Sequence, residues 1–237
     1  YMRVNRKNDE LRKIKFTRHF TKHASGSVLV ECGDTKVIVT ATVDEKSPKW
    51  MDTPLGWVTA EYSLLPSSTN TRVRIERGNN PVSGRTQEIQ RLIGRSLRAC
   101  IDLEKLGERT ITIDADVIQA DGGTRTASIS GGFVALCDAV KKLMDEGLLK
   151  ENPIIEPVAA ISAGILDNQI LLDLEYSEDS IADVDANIVM TASGKIVEFQ
   201  TTAEGNPFSE QQLIELLHTG KKAIFDIIEM QKQALAE

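Results

Sequence analysis

Three short stretches of the chain bring together residue types that could do chemistry. The first is Gln119-Ala120-Asp121-Gly122-Gly123-Thr124-Arg125-Thr126-Ala127-Ser128. An alternating apolar pattern precedes it and a helical one follows, so Gly122, Gly123, Thr124 and Arg125 fall where a strand ends and a helix begins. A helix start leaves backbone N–H groups free and favours negative charge. Glycine lets the backbone approach a ligand closely. Thr124 adds a hydroxyl donor, and the guanidinium of Arg125 matches the geometry of a phosphate. The second stretch is Ser83-Gly84-Arg85-Thr86, where Arg85 also stands at an expected helix start. The third is the acidic run Ser177-Glu178-Asp179-Ser180-Ile181-Ala182-Asp183-Val184-Asp185, read as a loop between two strands. Carboxylates this close repel one another unless a cation or a shared proton relieves them. Beside phosphate the usual cation is Mg²⁺, held through oxygens with retained waters. Each stretch has an ordinary reading as well: a tight strand–helix turn with a surface arginine, or an acidic surface loop. Residue types alone leave both readings open.

Two familiar alternatives do not fit. Gly78 to Thr86, GNNPVSGRT, resembles a nucleotide-binding P-loop, but five residues separate its glycines and Arg85 stands where that motif has lysine. The preceding segment is also a polar loop rather than a strand. His19, His23 and His218 have no spacing useful for catalysis, and Ser83 and Ser128 have no neighbouring histidine, so nothing supports a hydrolase triad.

The elements that must position these stretches follow from periodicity. Ile111, Ile113, Ala115 and Val117 alternate with Thr110, Thr112, Asp114 and Asp116, a strand with one buried face. Ile129, Phe133, Leu136, Cys137, Val140 and Met144 share one face of the helix after it. Another helix is predicted over residues 86–106, with Ile89, Leu92, Ile93, Ser96, Cys100, Leu103 and Leu106 as its core stripe and Gly107 as its stop. Gln87, Arg91, Arg95 and Arg98 make a second stripe on it. Ahead of it, residues 66–83 show no period and contain Arg72, Arg74 and Arg77; a loop this long is usually functional or disordered. From Arg72 to Arg98 seven arginines face only Glu76 and Glu88, which reads as an anion-binding surface, although solvated or salt-bridged helix faces also look this way.

Residues 27–32 and 35–43 form a hairpin around Gly33-Asp34. Residues 56–65 are a further strand. After a link at 147–157, marked by Gly147 and Pro153, strands are expected at 158–166, 170–176, 186–192 and 196–202. Ser209 and Gln212 form a capping box for the last helix. Each block of strands is followed by helix, the pattern of an α+β fold with a pseudo-repeat. Residues 1–237 read as a single domain, with residues 1–22 a solvated basic arm.

Bulk composition sets outer limits. The chain has 237 residues, of which 41% are hydrophobic, and a net charge of −7. That is an ordinary globular balance, too acidic to coat nucleic acid all over but compatible with a local basic site. No apolar run approaches the roughly 20 residues of a membrane span, so no membrane partner is expected. Met2-Arg3-Val4-Asn5-Arg6 leads into a polar segment, so no signal peptide is expected. Cys32, Cys100 and Cys137 lie in apolar patterns without pairing or metal spacing, which fits a reducing cytoplasm.

Taken together, these segments resemble a known family. Gly84-Arg85-Thr86-Gln87-Glu88-Ile89-Gln90-Arg91-Leu92-Ile93-Gly94-Arg95 is similar to ribonuclease PH, the bacterial phosphorolytic 3′→5′ exoribonucleases. So are Val117 to Ser128, Glu178-Asp179-Ser180 with Val184-Asp185, and the strands GWVTAEYSLLP and GSVLVECGDTKV. The resemblance runs from about Leu11 to the last helix. It implies a β-α-β repeat of the ribosomal-protein-like type, sheets packed with helices, assembled as a homo-hexamer that is a trimer of dimers. It also implies that inorganic phosphate, as co-substrate, attacks the last internucleotide bond of RNA, usually at tRNA 3′ ends, and releases a nucleoside diphosphate. By the same resemblance Arg85, Gly123, Thr124 and Arg125 hold the phosphate. Asp179 and Asp185 bind Mg²⁺ or act as general acid, and Arg72, Arg74, Arg77, Arg91 and Arg95 grip RNA. The rival readings are a catalytically silent RNA-binding ring subunit and a metal-dependent hydrolytic nuclease.

Overall fold

The computed structural model describes residues 3–237. The period-two runs become β1 (Ile14–Arg18), β2 (Gly26–Cys32), β3 (Thr35–Asp44) and β4 (Trp57–Leu64). Two helices follow, α1 (Gly84–Arg98) and the single turn α2 (Leu103–Leu106), and then β5 (Thr110–Gln119). These strands make one sheet in the order β1-β2-β3-β5-β4. β4 and β5 run parallel, so β4–α1–β5 is a β-α-β unit. After β5 comes α3 (Thr124–Asp145), and then β6 (Val158–Leu166) and β7 (Gln169–Leu172). The four-residue helix α4 (Tyr176–Asp179) leads to β8 (Val184–Thr191), β9 (Ile196–Ala203) and the last helix, α5 (Glu210–Ala236). The second sheet is antiparallel throughout, in the order β7-β6-β8-β9. This is the expected α+β architecture of two sheets packed with helices.

α3 is the shared wall. It packs on β2 and β3 of the first sheet and on β6 of the second, and it is buried almost throughout from Thr126 to Leu143. All nine residues of β6 are buried, with α3 and α5 both against it. One apolar core therefore runs from Val28, Val39 and Ile113 through Phe133 to Ala160, Ile188 and Ile224. Side chains of this kind each contribute about 1.5–3 kcal/mol by leaving water. The start of α3, where the glycines lie, is thus fixed against both sheets.

The structure corrects several expectations. The helix predicted over residues 86–106 is two pieces. Residues 100–102 leave the helix to pair with the link: Ile155 N–H donates to Cys100 O, Asp102 N–H to Pro153 O, and Ile101 bridges Ile154. Asp102 then caps α2, accepting from Glu104 N and Lys105 N. The strand expected over residues 170–176 stops at Leu172, because Asp173 turns with a φ of +54° and buries its carboxylate. β8 begins at Val184, two residues before the expected 186–192, so Asp185 lies on a strand and Asp179 on a helix rather than both on a loop.

The basic N-terminal arm is solvated only in part: Lys7, Lys13, Lys15 and Lys22 are exposed but its arginines are not, and its first two residues lie outside the described residues. Residues 14–18 are an edge strand, and the side chains of Arg3, Arg6 and Arg12 are only 4, 12 and 7% exposed. They are drawn inward by two buried carboxylates, Glu178 and Asp173. The capping box of Ser209 and Gln212 is present as read.

Candidate active site

The three stretches meet. Arg85 from the start of α1, Gly122 to Arg125 from the start of α3, Asp179 of α4 and Asp185 of β8 all line one cavity of about 320 Å³. Gly122 and Gly123 have φ of +77° and +68°, and a Cβ on Gly122 would sit 2.3 Å from the Leu174 carbonyl oxygen. Only glycine fits a left-handed backbone that close to its neighbour. Neither α1 nor α3 has an acidic residue in its first turn, so nothing within either helix cancels its positive end. The Thr124 hydroxyl lies 2.8 Å from the hydroxyl of Tyr62. With Tyr62 as donor, the Thr124 proton is left for an anion.

The carboxylates lie on the other side of that space. Asp185 is half-buried; loss of water raises its pKa and the neighbouring Asp179 raises it further, against the pull of Arg125 and Arg85. Asp179 is open to solvent at the cavity rim, yet enough protein surrounds it that its pKa is also raised, again opposed by Arg125 and Arg85. Both arginines therefore act electrostatically on both carboxylates. Asp185 accepts from Asn187 Nδ2 at 3.5 Å. Among the described residues no arginine or lysine closes an ion pair with Asp179 or Asp185.

Such a pair fits Mg²⁺, which takes one or two carboxylates and keeps waters for a phosphate to replace. Among the described residues no three His, Cys, Asp or Glu side chains gather, so the protein does not supply a complete metal cage by itself. The other two acids of the run have different work. Glu178 is buried and accepts from Arg3 at 2.5 and 2.7 Å and from the Glu175 backbone N–H at 3.1 Å, with Arg6 also paired to it; burial works to raise its pKa, but Arg3, the Glu175 N–H and Arg6 prevail and lower it. Asp183 accepts from Asn206 Nδ2 at 3.2 Å.

The remaining arginines lie outside the cavity. Arg74 and Arg77 line a neighbouring cavity of about 450 Å³ together with Glu61, Asp114 and Asp116. Arg72 and Arg91 are exposed, and Arg95 is exposed and paired with Glu198. Arg98 lies over the Trp57 ring at 4.4 Å and donates to the Val58 carbonyl at 2.8 Å, a packing role.

Residues 10–142 match the 3′ exoribonuclease family, domain 1, and residues 156–223 match its domain 2. The chain belongs to this 3′ exoribonuclease family. It is 60% identical over 237 residues to "Ribonuclease PH" of Neisseria gonorrhoeae (strain NCCP11945), covering 100% of this chain and 98% of that one. It is 58% identical to "Ribonuclease PH" of Neisseria meningitidis serogroup B (strain ATCC BAA-335 / MC58), with the same coverage. The fold is shared with more distant solved structures. Rice (Oryza sativa) Rrp46 superposes with a TM-score of 0.79 at 19% identity, over 98% of both chains. A chain of the Archaeoglobus fulgidus exosome with RNA bound to the active site superposes with a TM-score of 0.77 at 23% identity, over 94% of this chain and 90% of that one. Within the 3′ exoribonuclease family match, both arginines belong to domain 1 and both carboxylates to domain 2, so the cavity forms where the two meet.

The cavity residues that the sequence reading did not place at the site include Tyr62, Glu76, Ser162, Tyr176 and Asn187. Asn187 was findable, since it stands two residues beyond Asp185 on β8 and so faces the same way. Ser162 pairs with Asn187 across β6 and β8. Tyr62 gave no signal, because its nearness to Thr124 depends on the parallel pairing of β4 and β5.

Proposed function

We propose that this chain is a phosphate-dependent 3′→5′ exoribonuclease, a nucleotidyltransferase that transfers the terminal nucleotide of RNA to inorganic phosphate. The observation that carries the reading is one cavity in which two arginine-bearing helix starts oppose two carboxylates. The ribonuclease PH relatives support it over nearly their full length. The attacking phosphate and the RNA phosphodiester are both anions and repel. Arg85, Arg125, the Thr124 hydroxyl and the N–H groups at the start of α3 offset that charge and orient the nucleophile. The new bond joins a phosphate oxygen to the terminal phosphorus, the bond to the penultimate 3′ oxygen breaks, and a nucleoside diphosphate leaves. One phosphoryl linkage replaces another, so the reaction is reversible.

Asp179 and Asp185 would hold Mg²⁺, which when bound would stabilise charge on the scissile phosphate and departing oxygen. In the alternative role, with the metal held by Asp179, Asp185, whose affinity for a proton is raised, would protonate that oxygen. Arg72, Arg74, Arg77, Arg91 and Arg95 form a basic approach for RNA, with tRNA 3′ ends as substrates. The chain works as a single domain in the cytoplasm. It assembles as a homo-hexamer, a trimer of dimers. Light scattering should then give the mass of six chains, and a stable dimer at micromolar concentration would contradict that assembly.

The activity is tested by incubating RNA with Mg²⁺, with and without phosphate, and identifying the products. Nucleoside diphosphates that appear only with phosphate are expected. Monophosphates formed without phosphate would indicate a hydrolytic nuclease, and no product at all a silent RNA-binding subunit.

A further inference from the structure

The turn that opens α3 is held from behind by a buried ion pair that does not line the cavity. Arg12 donates from Nη1 to the Asp121 carbonyl at 2.6 Å and from Nη2 to the Gly122 carbonyl at 3.3 Å. The same guanidinium binds the Asp173 carboxylate through Nη2 at 2.8 Å and Nε at 3.2 Å, and the Arg12 backbone N–H reaches that carboxylate at 2.8 Å. The two side chains are 7 and 1% exposed. Thr35 adds a second hold: its Oγ1 donates to Gly122 O at 2.6 Å and accepts from Asp121 N at 3.0 Å.

A trans peptide is planar, with its C=O and N–H on opposite sides. Fixing the carbonyls of Asp121 and Gly122 toward Arg12 therefore turns the N–H groups of Gly122 and Gly123 away from it. Gly122 and Gly123 line the cavity, and Arg12 does not. Among the described residues no protein acceptor takes either N–H. Asp173 extends the same hold to the second half of the chain. Its backbone N–H donates to Ser162 O at 2.7 Å, and it opens the segment that turns into α4, which ends on Asp179. A buried ion pair is weak as a source of net stability, because both charges lose water. What this pair does provide is a fixed geometry shared by the phosphate turn and the carboxylate segment.

We infer that Arg12, braced by Asp173 and seconded by Thr35, is a positioning residue that aims the backbone N–H groups of the Gly122–Gly123 turn at the attacking phosphate without touching it. The inference rests on the phosphorolytic reading of the cavity. Arg12→Lys keeps the charge against Asp173 but loses the planar fork that reaches two carbonyls and a carboxylate together. Thr35→Val removes the second hold with little change of shape.

The test is a phosphate titration of oligoribonucleotide phosphorolysis by the full chain, parent and variants, at saturating RNA. In Arg12→Lys the KM for phosphate should rise about 10- to 100-fold, the scale of a misplaced reacting group. The kcat at saturating phosphate and the KM for RNA should change far less. Thr35→Val should shift the phosphate KM in the same direction by less. A purely structural pair would reduce the folded fraction, and so kcat per mole, with the phosphate KM of the surviving enzyme unchanged. An unchanged phosphate KM in Arg12→Lys overturns the inference; if that variant does not fold, an unchanged KM in Thr35→Val does so. Phosphate-independent product release by the parent would instead refute the phosphorolytic reading, so the two failures are distinct.

Discussion

Asp185→Asn should lower phosphorolysis by about 10²–10⁴-fold, the range of a lost acid–base or metal-holding group, while making the unliganded protein more heat-stable. The two effects share one cause. Burial and Asp179 hold the folded-state pKa of Asp185 above the ordinary carboxylate value. Between that ordinary value and the raised one, the folded chain binds more protons than the unfolded chain, so stability falls as pH rises through the window. At neutral pH the ionised Asp185 therefore weakens the fold, and asparagine removes that cost with nearly the same shape. The gain in Tm should be present at pH 7 and disappear as pH falls below the ordinary carboxylate range. Asp179→Asn should behave with the same sign, since its pKa is raised too. Mg²⁺ should raise the Tm of the parent and lose that effect in either variant, because a ligand stabilises only the state that binds it. RNA binding should be little affected. The double variant should turn over about as slowly as the worse single one, as expected for two groups with one task. A parental rate and Tm in Asp185→Asn would make this carboxylate ordinary surface.

Arg85→Ala and Arg125→Ala should each raise the KM for phosphate about 10- to 100-fold, the worth of a charge-assisted hydrogen bond or two. Arg85 is exposed at the first turn of α1 and forms no ion pair among the described residues, so its loss should leave the fold intact. Arg125 is half-exposed at the first turn of α3. Because both arginines oppose the raised pKa of Asp185 and Asp179, removing either should also move the acid limb of the pH–rate profile upward. Equal phosphate dependence in parent and variant would remove that arginine from the site.

What could be read in the sequence was what local pattern decides. The junction of β5 and α3 announced itself because the apolar period changes from two to 3.6 across Gly122-Gly123, and the Ser209 cap because both of its partners lie within three residues. The fate of Arg3, Arg6 and Arg12 was hidden. Their partners, Asp173 and Glu178, lie more than 160 residues away, and a run of basic residues looks solvated until buried carboxylates claim it. The break after α1 was hidden for the same reason, since residues 100–102 leave the helix for a pairing with residues 153–155. Glu178 and Asp179 make the point at the scale of one residue. They are adjacent acids, but a turn of α4 sends the first to buried arginines and the second to the cavity. Composition marked the acidic run as a candidate site and the family resemblance picked out Asp179 and Asp185; the fold shows why those two of its four carboxylates, and not Glu178 or Asp183, face the cavity.

The most direct test follows the phosphorus atom. RNA should be digested in the presence of Mg²⁺ and isotopically labelled inorganic phosphate, and the released nucleotides examined for the position of the label. Phosphorolysis predicts nucleoside diphosphates with the label in the β-phosphate, formed in proportion to the nucleotides lost from the 3′ end. Unlabelled nucleoside monophosphates, formed equally well without phosphate, would contradict it.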